Sequence, residues 1–167
     1  DGQLGISEPI VLVSPPPLLL PYAIGETWFF TGGPHGGWGS GSAWAALDFA
    51  PPDERPTDTL CVTSSFAARA VANGSIVRSA DGDVQLDIDG DNDERTGWTI
   101  LYLHLDSSTT VQVGMTVNAG DVIGYPACEG GYSTATHLHI GRLFNGEWVP
   151  ADCSRCIGGG GNSLKIG

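Results

Sequence analysis

A chain of 167 residues suits one domain, long enough to bury a core without help from metals or bridges. Its 41% hydrophobic and 16% charged content argues against disorder, and a formal charge of −12 disfavours nucleic acid and anionic membrane surfaces as partners. No apolar run approaches the roughly 20 residues needed to cross a bilayer.

Twenty-five glycines and eleven prolines point to many turns and short strands rather than a helical bundle. The first residue is Asp1 and no signal sequence is visible, so a processed or trimmed form is expected. The four cysteines, Cys61, Cys128, Cys153 and Cys156, fit no four-cysteine zinc spacing. An exported, soluble protein with one or two disulfides is expected.

In chain order, residues 1–24 form a proline-rich extended strap, and residues 25–157 carry the domain. "GETWFFTGG" reads as a strand ending in glycines. "PHGGWGSGSAW" (34–44) is a glycine-rich loop able to bring backbone close to a ligand. "AALDFA" (45–50) alternates Leu47 and Phe49 against Ala46 and Asp48, a strand pattern. After the solvated loop "PPDERPTDT", strand follows strand through "FAARAVANGSIVRSA", "DVQLDID", "GWTILYLHL", "TVQVGMTV", "DVIGYPA" and "HLHIGRLFNGEWV". Asn145-Gly146 between apolar flanks predicts a tight hairpin. Residues 158–167 are a glycine-rich tail, and no amphipathic helix or 20–50-residue repeat is visible. The expected fold is mainly β, a single domain of antiparallel sheets.

Three weaker signals have plain readings. "DIDGDNDE" (87–94) places Asp89, Asp91 and Asp93 like alternating calcium ligands. Glu94 stands where a calcium loop needs glycine and Ile100 where it needs glutamate, so a solvated hairpin tip is the better reading. Trp38, Trp44, Trp98 and Trp148 could line a groove, although core or rim is the commoner place for them. "CSRC" (153–156) lacks the βαβ context of a redox pair, which leaves a local bridge or free thiols.

The informative stretch is "THLHI" (136–140). Strand residues two apart share a face, so His137 and His139 point together while Leu138 and Ile140 point away. "ILYLHLD" similarly sets Tyr102 and His104 opposite Leu101, Leu103 and Leu105. Asp48 lies in an apolar strand with no lysine or arginine anywhere in residues 1–54, and an uncompensated buried carboxylate costs several kcal/mol. A metal would satisfy it. Two histidines and a carboxylate with an open fourth position form a catalytic zinc shell, while the His-Glu-x-x-His helix motif is absent. A spare histidine would then have to serve as base. The bland alternative is a set of half-buried structural histidines.

In combination these segments resemble the lysostaphin-type zinc metalloendopeptidases, and especially the staphylolysin-like (β-lytic) branch. "HGGWGSGSAWAALDF" has that branch's long His-to-Asp gap, and "YLHLD" its Tyr-x-His-hydrophobic-Asp segment. "CEGGYSTATHLHIGRLFNGEW" is similar to its Cys-Glu-Gly-Gly, Ser-Thr-Gly-x-His-Leu-His and Asn-Gly hairpin, with Ala135 in place of the glycine. The resemblance runs over residues 27–150 and implies a lysostaphin-like peptidase fold with a central metal-bearing groove. It implies one zinc ion on His35, Asp48 and His139, with His137 as general base or proton shuttle and His104 as oxyanion stabiliser. It also implies a Cys61–Cys128 disulfide.

The function so implied is a secreted, monomeric zinc endopeptidase cutting glycine-containing cross-bridges of peptidoglycan. Two alternatives stand beside it. A D-Ala-D-Ala type carboxypeptidase would need an acidic base near its last histidine, where this chain has His137. A non-catalytic relative that only binds wall peptide would be expected to have lost ligands or catalytic histidines, whereas all five positions are occupied here.

Overall fold

The computed structural model describes residues 14–39, 42–53 and 60–151. The cysteine pair at 153 and 156, the C-terminal tail, Lys165 and the first half of the N-terminal strap lie outside the described residues.

Ten strands and no helix are formed among these residues. They are β1 (Phe29–Gly36), β2 (Trp44–Ala50), β3 (Ala68–Arg69), β4 (Gly74–Ala80), β5 (Asp83–Asp87), β6 (Trp98–Leu103), β7 (Thr116–Val117), β8 (Val122–Gly124), β9 (Leu138–Phe144) and β10 (Glu147–Trp148). One antiparallel sheet runs β1-β2-β9-β6-β5-β4-β7, with β10 paired to β9, and β3 and β8 form a second small ladder. The mainly antiparallel expectation holds.

Sequence distance and sheet order diverge where β7 pairs β4, where β8 pairs β3 and, for the site, at β9. β9, late in the chain, lies between β2 and β6, pairing Asp48 with His139 on one side and Leu103 with His139 on the other. This insertion brings the His-x-His segment beside the aspartate strand. β9 begins at Leu138, so His137 stands just before it, held opposite Ala127 by an isolated bridge.

The core is one cluster of buried side chains that draws on both ladders. Phe49, Ile76, Val84, Leu86, Ile100, Tyr102, Leu105, Ile123 and Leu138 are buried together, each such side chain contributing about 1.5–3 kcal/mol of transfer free energy. Residues 14–24 contribute to it without forming a strand. Leu19 donates its N–H to the Val71 carbonyl, Leu18 packs on the core, and Tyr22 stacks on Trp28 at 5.2 Å. The 145–146 hairpin forms as expected, with φ of 52° at Asn145 and 74° at Gly146, the two positive values a type I′ turn needs.

One alternation expectation is overturned. Tyr102 and His104 do not share a face. β6 ends at Leu103, and His104 adopts φ 67°, a left-handed conformation rare outside glycine. Tyr102 therefore faces the core, where its hydroxyl accepts the Val71 N–H, whereas Leu103 and His104 line a groove. Leu105 returns to the core beside Tyr102.

The acidic tip after β5 is built around Asp87, which is fully buried. Its carboxylate accepts the backbone N–H groups of Asp89, Gly90 and Asn92. Asp93 pairs with Arg95 at 2.8 Å on the surface. Asp87, Asp89 and Asp91 are near enough to one another to surround a cation, but the bonds just described already satisfy the one buried member.

Candidate metal centre

His35, Asp48 and His139 come from three adjacent strands, β1, β2 and β9. Gly32 opposes Asp48 in the β1–β2 ladder, and a Cβ there would sit 3.0 Å from Asp48 Oδ2, so glycine leaves room for the carboxylate. Each residue offers one ligand atom, and these atoms lie within 4.8 Å of one another.

The hydrogen bonds around the cluster fix which nitrogen faces inward. His35 Nδ1 lies 3.2 Å from the Gly36 carbonyl, and His139 Nε2 lies 2.9 Å from the Gly37 carbonyl. A carbonyl can only accept, so each ring puts an N–H on its outer side. A neutral imidazole then presents a lone pair from its other nitrogen. Those inner nitrogens face Asp48: His35 Nε2 is 2.7 Å from Oδ2, and His139 Nδ1 is 3.2 Å from Oδ1. Oδ1 is buried and receives no aligned hydrogen bond.

Three electron-rich atoms thus converge on one another. Burial pushes the Asp48 carboxyl up, but His139, His137 and His35 outweigh it and hold the group below the usual carboxylate range. Extra protons on the rings would reconcile the atoms, and so would one cation with both rings neutral. Outer N–H groups tied to backbone carbonyls are the arrangement that orients metal-ligating histidines. The donor set of two imidazoles and one carboxylate suits zinc.

The other two histidines flank the cluster. His137 Nε2 lies 3.6 Å from Asp48 Oδ2, and its Nδ1 bonds the Ala135 carbonyl at 2.8 Å. His104 is buried, its ring centroid 4.6 Å from that of His137, and its Nδ1 donates to the Glu129 carbonyl at 2.7 Å. Burial pushes the His104 imidazole down to about 4, with His137 and His139 adding to the effect against the pull of the Glu129 carbonyl. The ring is therefore neutral near pH 7, with a lone pair on Nε2.

All five sequence-selected residues line one groove of about 740 Å³. Of the four tryptophans considered for a groove, Trp38 lines it, Trp98 is buried and Trp44 is exposed outside its lining, while Trp148 lies under Gly37 and Gly141. Tyr132, 91% exposed, forms part of the wall, as do Arg78, Asp81 and Asp83 from the β4–β5 hairpin. Sequence reasoning had not singled out these wall residues. Nor did it find the carbonyls of Gly36, Gly37, Glu129 and Ala135, since a backbone acceptor leaves no residue-type signal. Cys61 and Cys128 are joined, with Cα atoms 5.6 Å apart, as the resemblance implies.

Comparison with known proteins places this geometry. A model of peptidase family M23 matches residues 58–150, more than half of the chain. Over 61 residues the chain is 39% identical to Protease LasA of Pseudomonas aeruginosa, a match covering 32% of this chain and only 14% of that protein. Among solved structures, the M23 metalloprotease pseudoalterin, described as coming from the deep sea, aligns with a TM-score of 0.64 and 27% identity over 81% of this chain and 75% of that one. A zinc-containing peptidase from Vibrio cholerae aligns with a TM-score of 0.54 and 18% identity, covering 79% and 38%, a likeness of fold. The chain belongs to peptidase family M23, and its His/Asp cluster is suited to a single zinc ion of the metallopeptidase kind.

Proposed function

We propose that this chain is a secreted zinc metalloendopeptidase of the staphylolysin-like branch, cutting glycine-containing peptide bonds in peptidoglycan cross-bridges. The observation that carries the reading is the convergence of unsatisfied Asp48 Oδ1 and two inward imidazole nitrogens beside two further histidines in one open groove.

His35, Asp48 and His139 would hold the metal, which when bound supplies Lewis acidity to a peptide carbonyl and to water. Asp48 supplies one negative charge to the shell, and its two neighbours keep their orientation through Gly36 and Gly37. His137, with Nδ1–H tied to Ala135, has Nε2 free to accept a proton from the attacking water. The same nitrogen can return that proton to the departing amine. His104 starts as an acceptor at Nε2, so it can donate to an oxyanion only where it, in place of His137, has taken the proton of the attacking water. Trp38 and Tyr132 border the groove and would flank an extended peptide.

Zymography on several purified cell walls, with mass analysis of released fragments, tests this reading, alongside hydrolysis of a pentaglycine peptide. Cleavage within glycine runs is expected. Release of terminal D-alanine alone would support the carboxypeptidase, and fragment-free binding the non-catalytic relative.

A further inference from the structure

We propose that the Cys61–Cys128 disulfide, acting through Glu129 and Thr136, positions the two histidines that stand outside the metal cluster. The inference rests on the reading of His104 and His137 as catalytic residues. It assigns positioning residues to that chemistry.

His104 needs external support. It lies beyond the end of β6 in a left-handed conformation that costs an L residue roughly 1–2 kcal/mol. Two bonds hold it. Its Nδ1–H donates to the Glu129 carbonyl at 2.7 Å, and its own carbonyl accepts the Ala127 N–H at 2.6 Å. Ala127 and Glu129 are the two neighbours of Cys128. The Glu129 carboxylate then reaches back along the chain, accepting the Ser107 N–H at 3.1 Å and the Ser107 hydroxyl.

His137 has a matching support. Thr136, fully buried, donates its N–H to the Leu60 carbonyl at 2.8 Å. Its hydroxyl accepts the Val62 N–H at 2.9 Å and donates to the Val62 carbonyl. Leu60 and Val62 are the two neighbours of Cys61. A single covalent bond therefore joins the segment that holds the His104 ring to the segment that anchors Thr136, the residue before His137. Residues 60–63 belong to no strand. Beyond the disulfide, a few hydrogen bonds tie this segment down, each contributing about 1 kcal/mol.

The metal cluster does not depend on this path. His35, Asp48 and His139 are fixed by the β1–β2–β9 ladder, with Asp48 opposite His139. Loss of the bridge should thus separate two properties that a general loss of stability would move together. Zinc should stay while the histidine geometry, and with it turnover, is lost. Misplacement by about 1 Å is enough to cost on the order of 10²-fold in rate.

The test compares wild type with Cys61→Ala/Cys128→Ala, Thr136→Val and Glu129→Ala, each loaded with zinc. Three quantities are read: zinc content, the His104 ring tautomer by ¹⁵N-detected proton correlation, and kcat and KM on pentaglycine. Wild type should show one fixed His104 tautomer with the proton on Nδ1. The cysteine double variant should keep one equivalent of zinc, lose the fixed tautomer, and lose roughly 10- to 100-fold in kcat with little change in KM. Thr136→Val and Glu129→Ala keep the disulfide and should move the His137 and His104 ring signals respectively. These variants carry the test if the double variant does not fold. A double variant that melts earlier but keeps the His104 tautomer and kcat would overturn the proposal, as would zinc loss in step with activity. Unmoved ring signals in both single variants would also overturn it. If wild type hydrolyses no peptide, the proposed function fails, and the tautomer measurement still decides this inference.

Discussion

Asp48 and His139 face each other across the β2–β9 ladder, with Oδ1 and Nδ1 3.2 Å apart and the outer nitrogen of the ring committed to the Gly37 carbonyl. Protein purified without chelator should carry about one zinc per chain, a stoichiometry set by a single site of this type. Asp48→Ala should abolish it, as read by elemental analysis. Unchanged stoichiometry in that variant would remove Asp48 from the shell. Chelation of wild type should lower the melting temperature, because a metal bound only by the folded form stabilises that form.

Gly37 provides a separate handle on the same shell. A Cβ on Gly37 would lie 2.4 Å from the Trp148 ring, so Gly37→Ala must displace either the indole or the loop carrying the carbonyl that orients His139. Zinc affinity should fall about 10- to 100-fold, the usual cost of losing an outer partner of a ligating histidine. Competition with a chromophoric chelator measures it, and an unaltered affinity would mean that the indole alone yields.

His104→Ala and His137→Ala should each lower hydrolysis by on the order of 10²–10³ while zinc remains bound. Both rings face the cluster, yet neither belongs to the set of converging ligand atoms. Steady-state kinetics on pentaglycine beside metal analysis checks this. Near-wild-type turnover in both variants would make the pair structural.

Asp83 predicts a pH dependence of stability. Its carboxyl is pushed up to about 6, chiefly by burial, against the opposing pull of Arg78, whose Nε lies 2.6 Å away. An unfolded aspartate titrates near 3.9. Between about pH 4 and 6 the folded form keeps a proton that the unfolded form has lost, so this group's contribution to stability falls as pH rises. The stability of wild type minus that of Asp83→Asn should drop by about 2 kcal/mol from pH 4 to pH 7. Urea unfolding at the two pH values reads the difference, and a flat or rising one would contradict the assignment.

Much of the site was legible in the sequence because strand periodicity is local. The alternation around Asp48 and the i, i+2 spacing of His137 and His139 follow from backbone geometry alone, and Asp48 and His139 are brought together as directly paired residues. Asn145-Gly146 specified its turn because positive φ at both positions suits those residues. The same local rule failed at His104. Alternation assumes that the strand continues, and the left-handed turn there depends on Ala127 and Glu129, residues more than twenty positions away.

By itself, then, the sequence determined the residue types able to hold a metal, the strand-rich class and the two-residue spacing of the paired histidines. Those are consequences of short-range sterics and side-chain chemistry. Only the tertiary structure decided that β9 lies between β2 and β6, which nitrogen of each ring faces inward, and that the disulfide joins the segment bonded to His104 to the one bonded to Thr136. The reason is physical: these choices are made by backbone carbonyls and long-range strand pairing, which every residue type can supply and no residue pattern marks.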